Sequence, residues 1–329
     1  MTVRALDELV AELTEACAGT VRGGASLAEL STLRVGGPAR VLVTAESDHD
    51  LAAIGQACLR HGVPWTVIGR GSNLLVSDHG WPGVAIQLGT HFRGVEIDGR
   101  SVRAGAAEKL PVLAVRVADV GLTGFAWACA VPGSLGGAVR MNAGAHGGDM
   151  AKHLVEVEIV RLRTGIRETW PASTLGLGYR SSALPDDAVV VAASLFLEAG
   201  DADTVREEIR SIRSWRRAHQ PLNEPNCGSV FTNPVDGSAG RLIDEAGLKG
   251  HRQGGAQVST RHANFIVTRG GATANDVARL IRVIQDRVRE TSGVELIPEV
   301  ARLGAFTGDG GVDPVAHGTG GDLPAGVDG

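Results

Sequence analysis

Cysteine is scarce and scattered in this chain: Cys17, Cys58, Cys129 and Cys227 make no Cys-x-x-Cys pair, and no histidine stands at zinc-like spacing. That pattern excludes a spacing-defined metal site and points to free thiols in a reducing compartment. A basic excess is missing as well. With 32 Lys and Arg against 37 Asp and Glu, a net charge of −5 and a sequence pI near 6.1, a broad nucleic-acid surface is excluded, while a local cationic pocket is not. No run approaches eighteen uninterrupted apolar residues, so no membrane span is expected. The opening MTVRALDELVAELTEAC has acids spaced through it and lacks a secretory pattern, so a cytoplasmic location is expected. Two nucleotide signatures are also absent. There is no Gly-x-x-x-x-Gly-Lys-Ser/Thr, and the Gly-x-Gly at Gly69 to Gly71 has Leu74 where a dinucleotide fingerprint needs its third glycine.

What is present is glycine in the right company. In VPGSLGGAVRMNAGAHGG, Val131 to Gly148, six of eighteen residues are glycine, and apolar runs flank them. A flexible linker keeps polar company, so this stretch reads as backbone packed close to something. Glycine lets successive N–H groups approach an anion. Tight turns in a crowded core would use the same residues, and the stretch alone leaves both readings open.

At 329 residues, 43% hydrophobic and 21% charged, the chain has room for two or three domains with their own cores. Leu6, Leu9, Val10 and Leu13 predict an amphipathic helix over 5–16. Ala39–Ala45 reads as a strand, 48–61 as a helix closed by Gly62, and 65–69 as a second strand, a βαβ unit that implies a parallel pair. Residues 83–105 alternate, with Asp98-Gly99 as a hairpin turn. A helix is expected over 110–120, and strands over 155–162, 166–170 and 188–197. A second unit opens near 201 with a helix to His219, whose arginines read mostly as solvated surface charge. A short helix over 241–246, strands over 256–259 and 264–268 and a long helix over 273–292 follow. The glycine- and aspartate-rich stretch beyond Leu303 reads as disordered.

Taken in order, RVGGPA (34–39), GRGSNLLVSD (69–78), the Val131–Gly148 stretch, GYRSS (178–182), CGSVFTNP (227–234), GLKG (247–250), HANFIV (262–267) and PEV (298–300) resemble the UDP-N-acetylenolpyruvoylglucosamine reductase (MurB) family over residues 26–304. The resemblance is to the shorter subclass without a tyrosine-bearing insert. It implies an α+β chain: a PCMH-type FAD-binding fold of two α+β subdomains (26–90 and 91–200) and a C-terminal α/β substrate-binding domain (201–305). A helical lead-in (1–25) and a disordered tail (306–329) complete the expected organisation. FAD and NADPH are the implied cofactors, a UDP-sugar is the substrate, and no metal, nucleic acid or membrane takes part. A monomer is expected.

By the same resemblance, FAD contacts come from Gly69, Arg70, Gly71, Ser72, Asn73 and Leu74, from Pro132, Gly133, Ser134, Gly137 and Ala138, and from Asn142, Ala143 and Gly144. Two loops sharing one diphosphate would explain why neither matches a nucleotide motif alone. The implied catalytic residues are Arg180 for the substrate carboxylate, Glu299 beside it as a hydrogen-bond donor, and Ser229 as proton donor; Tyr179 and Asn233 are expected to touch substrate. Outside the family pattern these residues would read as a surface ion-pair partner, a cap and turn residues. Ala126, Ala130, His146, His219 and Thr232 depart from the family pattern. They leave open a paralogue of altered substrate, beside a flavin oxidase of the same fold and a non-catalytic nucleotide-sugar binder.

Overall fold

The computed structural model describes residues 3–235 and 237–306. Helix α1, Val3–Ala16, buries Leu9 and Leu13 against a four-stranded sheet ordered Val21–Gly23, Ala39–Ala45, Trp81–Leu88, Trp65–Val67. The 39–45 strand is apolar at nearly every position because both faces of this sheet are covered. Val41, Val43 and Ala45 face α1 and α2 (Asp48–His61), while Ala39 and Leu42 enter a smaller cluster with Ile68, Trp81 and Leu303. The βαβ expectation needs one correction. The strands flanking α2 are parallel but do not pair with each other, because Trp81–Leu88 inserts between them. Ser47 caps α2, accepting a hydrogen bond from Asp50 N.

A second, antiparallel sheet is ordered Arg167–Pro171, Leu154–Arg161, Ala188–Phe196, Ser101–Gly105, Val95–Asp98. The Asp98-Gly99 turn forms as expected, with Gly99 at φ 57°. Alternation along its central strands sends Val157, Ile159 and Val190 into one cluster, and Val160, Val189 and Val191 into the core of the first sheet. The two sheets thus share a core. The first of those clusters is roofed by α3 (Leu110–Asp119), α4 (Leu135–Arg140) and α5 (Ala202–His219).

Helix α5 follows the boundary expected near 201. Its buried stripe, Val205, Ile209 and Ile212, packs into the second sheet's cluster. The C-terminal cluster forms around α6 (Ala239–Glu245), α7 (Ala274–Ser292) and the strands Ala256–Val258 and Ile266–Thr268. It is tied back to the first subdomain at several points. Ala301–Leu303 pairs in parallel with Leu74–Val76, Thr268 Oγ1 donates to Leu33 O at 2.6 Å, and the Asp78 carboxylate accepts from Ala274 N and Asn275 N at 2.7 and 2.9 Å. The expected tail, 306–329, opens at Phe306. Phe306 packs on the C-terminal cluster beneath the Arg302 guanidinium, and the rest of that stretch lies outside the described residues.

Candidate active site

Two cavities, of about 470 and 350 Å3, meet between the sheets and share the walls Val67–Arg70, Ser134, Gly137 and Arg140. The first runs beneath Glu46, Thr90 and Lys109; the second opens toward the C-terminal domain. The two glycine-rich loops form the shared wall, sixty residues apart in sequence but side by side in space. Arg70 Nε donates to Pro132 O at 3.1 Å, tying one loop to the other.

These loops offer donors with nothing to bond. The N–H groups of Gly69 through Asn73, and across the cleft those of Gly133, Ser134 and Gly137, have no acceptor among the described residues. Paired main-chain groups are the rule, so such a row marks where solvent or an anion is received. Glycine is required at Gly71: its φ is 57°, and a Cβ there would lie 2.0 Å from Leu30 O. The donor row and the long double cavity fit a dinucleotide whose diphosphate rests on the amides.

The three proposed catalytic side chains meet in the second cavity. Arg180 lies in a two-residue turn closed by Gly178 N to Ser181 O and its reciprocal bond, at 3.1 and 3.3 Å. Its φ of 55° is a conformation more natural to glycine or asparagine, and such strain persists only where surroundings hold it. Here they do. Arg180 Nε donates to Glu299 Oε1 at 2.7 Å and Nη2 to Gly144 O at 2.8 Å. Glu299 is clamped through its backbone, donating to Val230 O at 2.7 Å and accepting from Asn73 Nδ2 at 3.0 Å. One clamp therefore seats Glu299 beside the residue following Ser229 and against the first glycine-rich loop. Burial pushes the Glu299 carboxyl above the usual carboxylate range, and the Arg180 guanidinium opposes this without reversing it. The Ser229 hydroxyl makes no hydrogen bond to the described residues.

All the expected cofactor contacts line the cavities except one. Asn142 is buried at φ 37° behind the wall. Its Nδ2 donates to Gly178 O at 2.8 Å and its Oδ1 accepts from Ala151 N at 2.9 Å, so it braces the Arg180 turn rather than facing the cleft. Tyr179 and Asn233 also stand off the cavity wall. Tyr179 is exposed with its ring 5.0 Å from the Arg180 guanidinium, and Asn233 Oδ1 accepts from Ala239 N, starting α6.

Sequence reasoning missed Arg140 and Arg216. Arg140 borders both cavities and donates to the carbonyls of Leu184, Pro185 and Ala188, while Ser182 Oγ donates to Arg140 O at 2.7 Å. Arg216 continues the buried stripe Val205, Ile209, Ile212 at helical spacing, a signal available in the sequence but masked by its exposed arginine neighbours. Two departures from the family pattern meet on one ring. His146 meets Trp215 edge-on at 5.3 Å, and His219 stacks on it at 4.6 Å.

Comparisons with known proteins place the whole chain in a family. Residues 220–303 match the family described as UDP-N-acetylenolpyruvoylglucosamine reductase, C-terminal domain, and residues 39–169 match FAD binding domain. A UDP-N-acetylenolpyruvoylglucosamine reductase of Methylorubrum populi is 43% identical over 94% of this chain and all of its own length. One from Bacillus licheniformis is 40% identical over 91% of this chain and 99% of its own. The crystal structure of the Thermus caldophilus reductase superposes with a TM-score of 0.77 at 37% identity, covering 87% of this chain and all of that one. The first family match ends before α5 and the C-terminal match begins after it, leaving that helix between them. The chain belongs to the UDP-N-acetylenolpyruvoylglucosamine reductase family.

Proposed function

We propose that the chain carries out this family's reaction, the NADPH-dependent, FAD-mediated reduction of UDP-N-acetylenolpyruvoylglucosamine to UDP-N-acetylmuramate, with Arg180, Glu299 and Ser229 acting on the substrate. The observation that carries the assignment of roles is that these three side chains line one cavity whose other wall is a row of unpaired amides. The amides of Gly69–Asn73, Gly133, Ser134 and Gly137 hold the FAD diphosphate. When bound there, FAD would supply to the methylene carbon of the enolpyruvyl ether the hydride that NADPH provides.

Negative charge then builds on the neighbouring carbon and its carboxylate. Arg180 has N–H groups beyond those spent on Glu299 and Gly144, and its planar fork suits that carboxylate. Glu299 accepts from Arg180 through Oε1; the neutral acid favoured by burial can donate its own O–H to the same developing charge. Ser229 supplies the final proton. A hydroxyl is a weak acid in water, so it serves only a strongly basic carbon held against it. Asn142 and Arg140 fix the 178–188 segment that carries Arg180.

We divide the labour along the packing clusters. Residues 26–200 together with α5 hold the cofactor, and the following chain to 305 presents the substrate, with Tyr179 and Asn233 reaching it from outside the cavity wall. No helix among the described residues is long and apolar enough to cross a membrane. We read the protein as a cytoplasmic monomer.

The test is NADPH oxidation by the FAD-loaded protein with and without UDP-N-acetylenolpyruvoylglucosamine. Oxidation that requires the UDP-sugar supports the reading. Equal oxidation without it, with oxygen consumed, would make the protein an oxidase, and no oxidation with FAD bound would make it a nucleotide-sugar binder.

A further inference from the structure

We infer that Trp215 is a positioning residue for Arg180: with His146 and His219 it forms a three-ring stack that clasps the hairpin on which the Arg180 guanidinium rests. The inference rests on the reading of Arg180 as the arginine for the substrate carboxylate. The hairpin pairs Gly144 with Asp149 and Ala145 with Gly148, and turns through His146 and Gly147 at φ 47° and 80°. Its first strand and the His146 tip line the second cavity. Gly144 O accepts from Arg180 Nη2 at 2.8 Å.

The two supports of the guanidinium differ in kind. Glu299 is held through its main chain between Val230 and Asn73, with a parallel ladder following at Ala301–Leu303. Gly144 belongs to a hairpin of two residue pairs, which is marginal without packing from outside. The root of the hairpin has that packing: Met150 N donates to Ala143 O at 3.0 Å, and Gly148 lies so close to Trp127 that a Cβ there would overlap the indole. The tip reaches away from this core.

Trp215 meets it there. The His146 ring stands edge-on to the indole at 5.3 Å and 89°, the geometry in which two aromatic rings attract. His219 stacks on the indole at 4.6 Å and 18°, and its Nδ1–H donates to Trp215 O at 2.8 Å, which fixes the outer ring one helical turn along. Helix α5 is itself anchored by Val205, Ile209 and Ile212, so the indole projects from a fixed element. Trp215 is 44% exposed, and its ring contacts with the two histidines join α5 to the hairpin. Both histidines are departures from the family pattern, and they serve one contact. The line of support therefore runs from α5 through Trp215 and His146 to Gly144, and from Gly144 O to Arg180.

The experiment compares Trp215→Leu and Trp215→Phe, each in the wild-type and the Arg180→Lys background. Hydrogen exchange of the 142–150 segment is expected to quicken about tenfold in Trp215→Leu and to stay within about twofold of wild type in Trp215→Phe, which keeps a ring in the stack. Reduction of the UDP-sugar by the FAD-loaded protein should slow about tenfold in Trp215→Leu, and by less than about twofold more in Arg180→Lys, where no guanidinium fork is left to aim. His146→Asn, which removes the inner ring and tolerates the positive φ, is the second variant should the leucine protein fail to fold; the same exchange and rate changes are expected of it. Unchanged exchange in the ring-deleted variant overturns the inference, as does equal slowing in both backgrounds or a main defect in FAD affinity. A wild-type protein that leaves the UDP-sugar unreduced would remove the reading of Arg180, while the exchange rates still decide whether the stack holds the hairpin.

Discussion

Replacing Asn142 by alanine isolates what holds Arg180 in its strained turn. The side chain gives one hydrogen bond to Gly178 O and takes one from Ala151 N, both partly buried, at 2.8 and 2.9 Å. Alanine removes both and leaves two main-chain groups without their partners. Each bond contributes about 1 kcal/mol net. The backbone adds to the loss, because Asn142 sits at φ 37°, where asparagine is tolerated and alanine costs about 1 kcal/mol. Together these put the loss at roughly 3 kcal/mol. Asn142→Gly removes the backbone part and should recover about 1 kcal/mol of it. Asn142→Asp keeps the acceptor for Ala151 N, loses the donor to Gly178 O, and should fall between wild type and alanine. Urea unfolding of the four proteins reads these differences directly. The affinity for FAD should stay near wild type, since the side chain faces away from the cavity, while substrate reduction slows because Gly178 lies two residues before Arg180. An alanine variant that unfolds at the wild-type urea concentration, or whose main defect is lost FAD, would refute the brace and make Asn142 a cofactor ligand.

Ser229→Ala should leave FAD reduction by NADPH almost intact in stopped-flow measurements while the oxidative half-reaction collapses; loss of both together would mark Ser229 as structural. Glu299 has its folded-state pKa raised by burial, so the stability it contributes is present at acid pH and is lost as pH rises through that raised value. The oxidative half-reaction, which uses the neutral acid, should decline over the same rise, and Glu299→Gln should flatten both dependences; a decline that persists in the variant belongs to another group. Gly71→Ala should cost at least about 2 kcal/mol and sharply weaken FAD binding, because its Cβ meets backbone that cannot step aside. Flavin fluorescence during FAD titration reads the binding, and wild-type affinity would show that the loop yields.

Much of this chain was legible from local rules. A helix ending at His219 was expected, and one is found at Ala202–His219. The Thr273 start found Asp276 as its capping-box partner, and Gly62 and Gly293 close α2 and α7 in the left-handed conformation. Spacing could not reveal which elements would share a core. The strand 81–88 entered between two strands that α2 connects, and α5 joined the cluster before it, because apolar faces pair by shape and area across any separation in the chain.

The same division runs through the site. The amino-acid sequence by itself determined the chemistry on offer: two glycine-rich loops able to present bare amides, and an arginine, a serine and a glutamate in the order its family uses. Those properties are local, set by side-chain type and by the backbone freedom of glycine. Only the tertiary structure decided their partners. It placed Glu299 against Arg180 across 119 residues and against Asn73 across 226, turned Asn142 from the cleft toward Gly178, and left Arg216 without a carboxylate. Burial, hydrogen-bond satisfaction and charge balance are properties of a surrounding volume, and that volume exists only once the chain has folded.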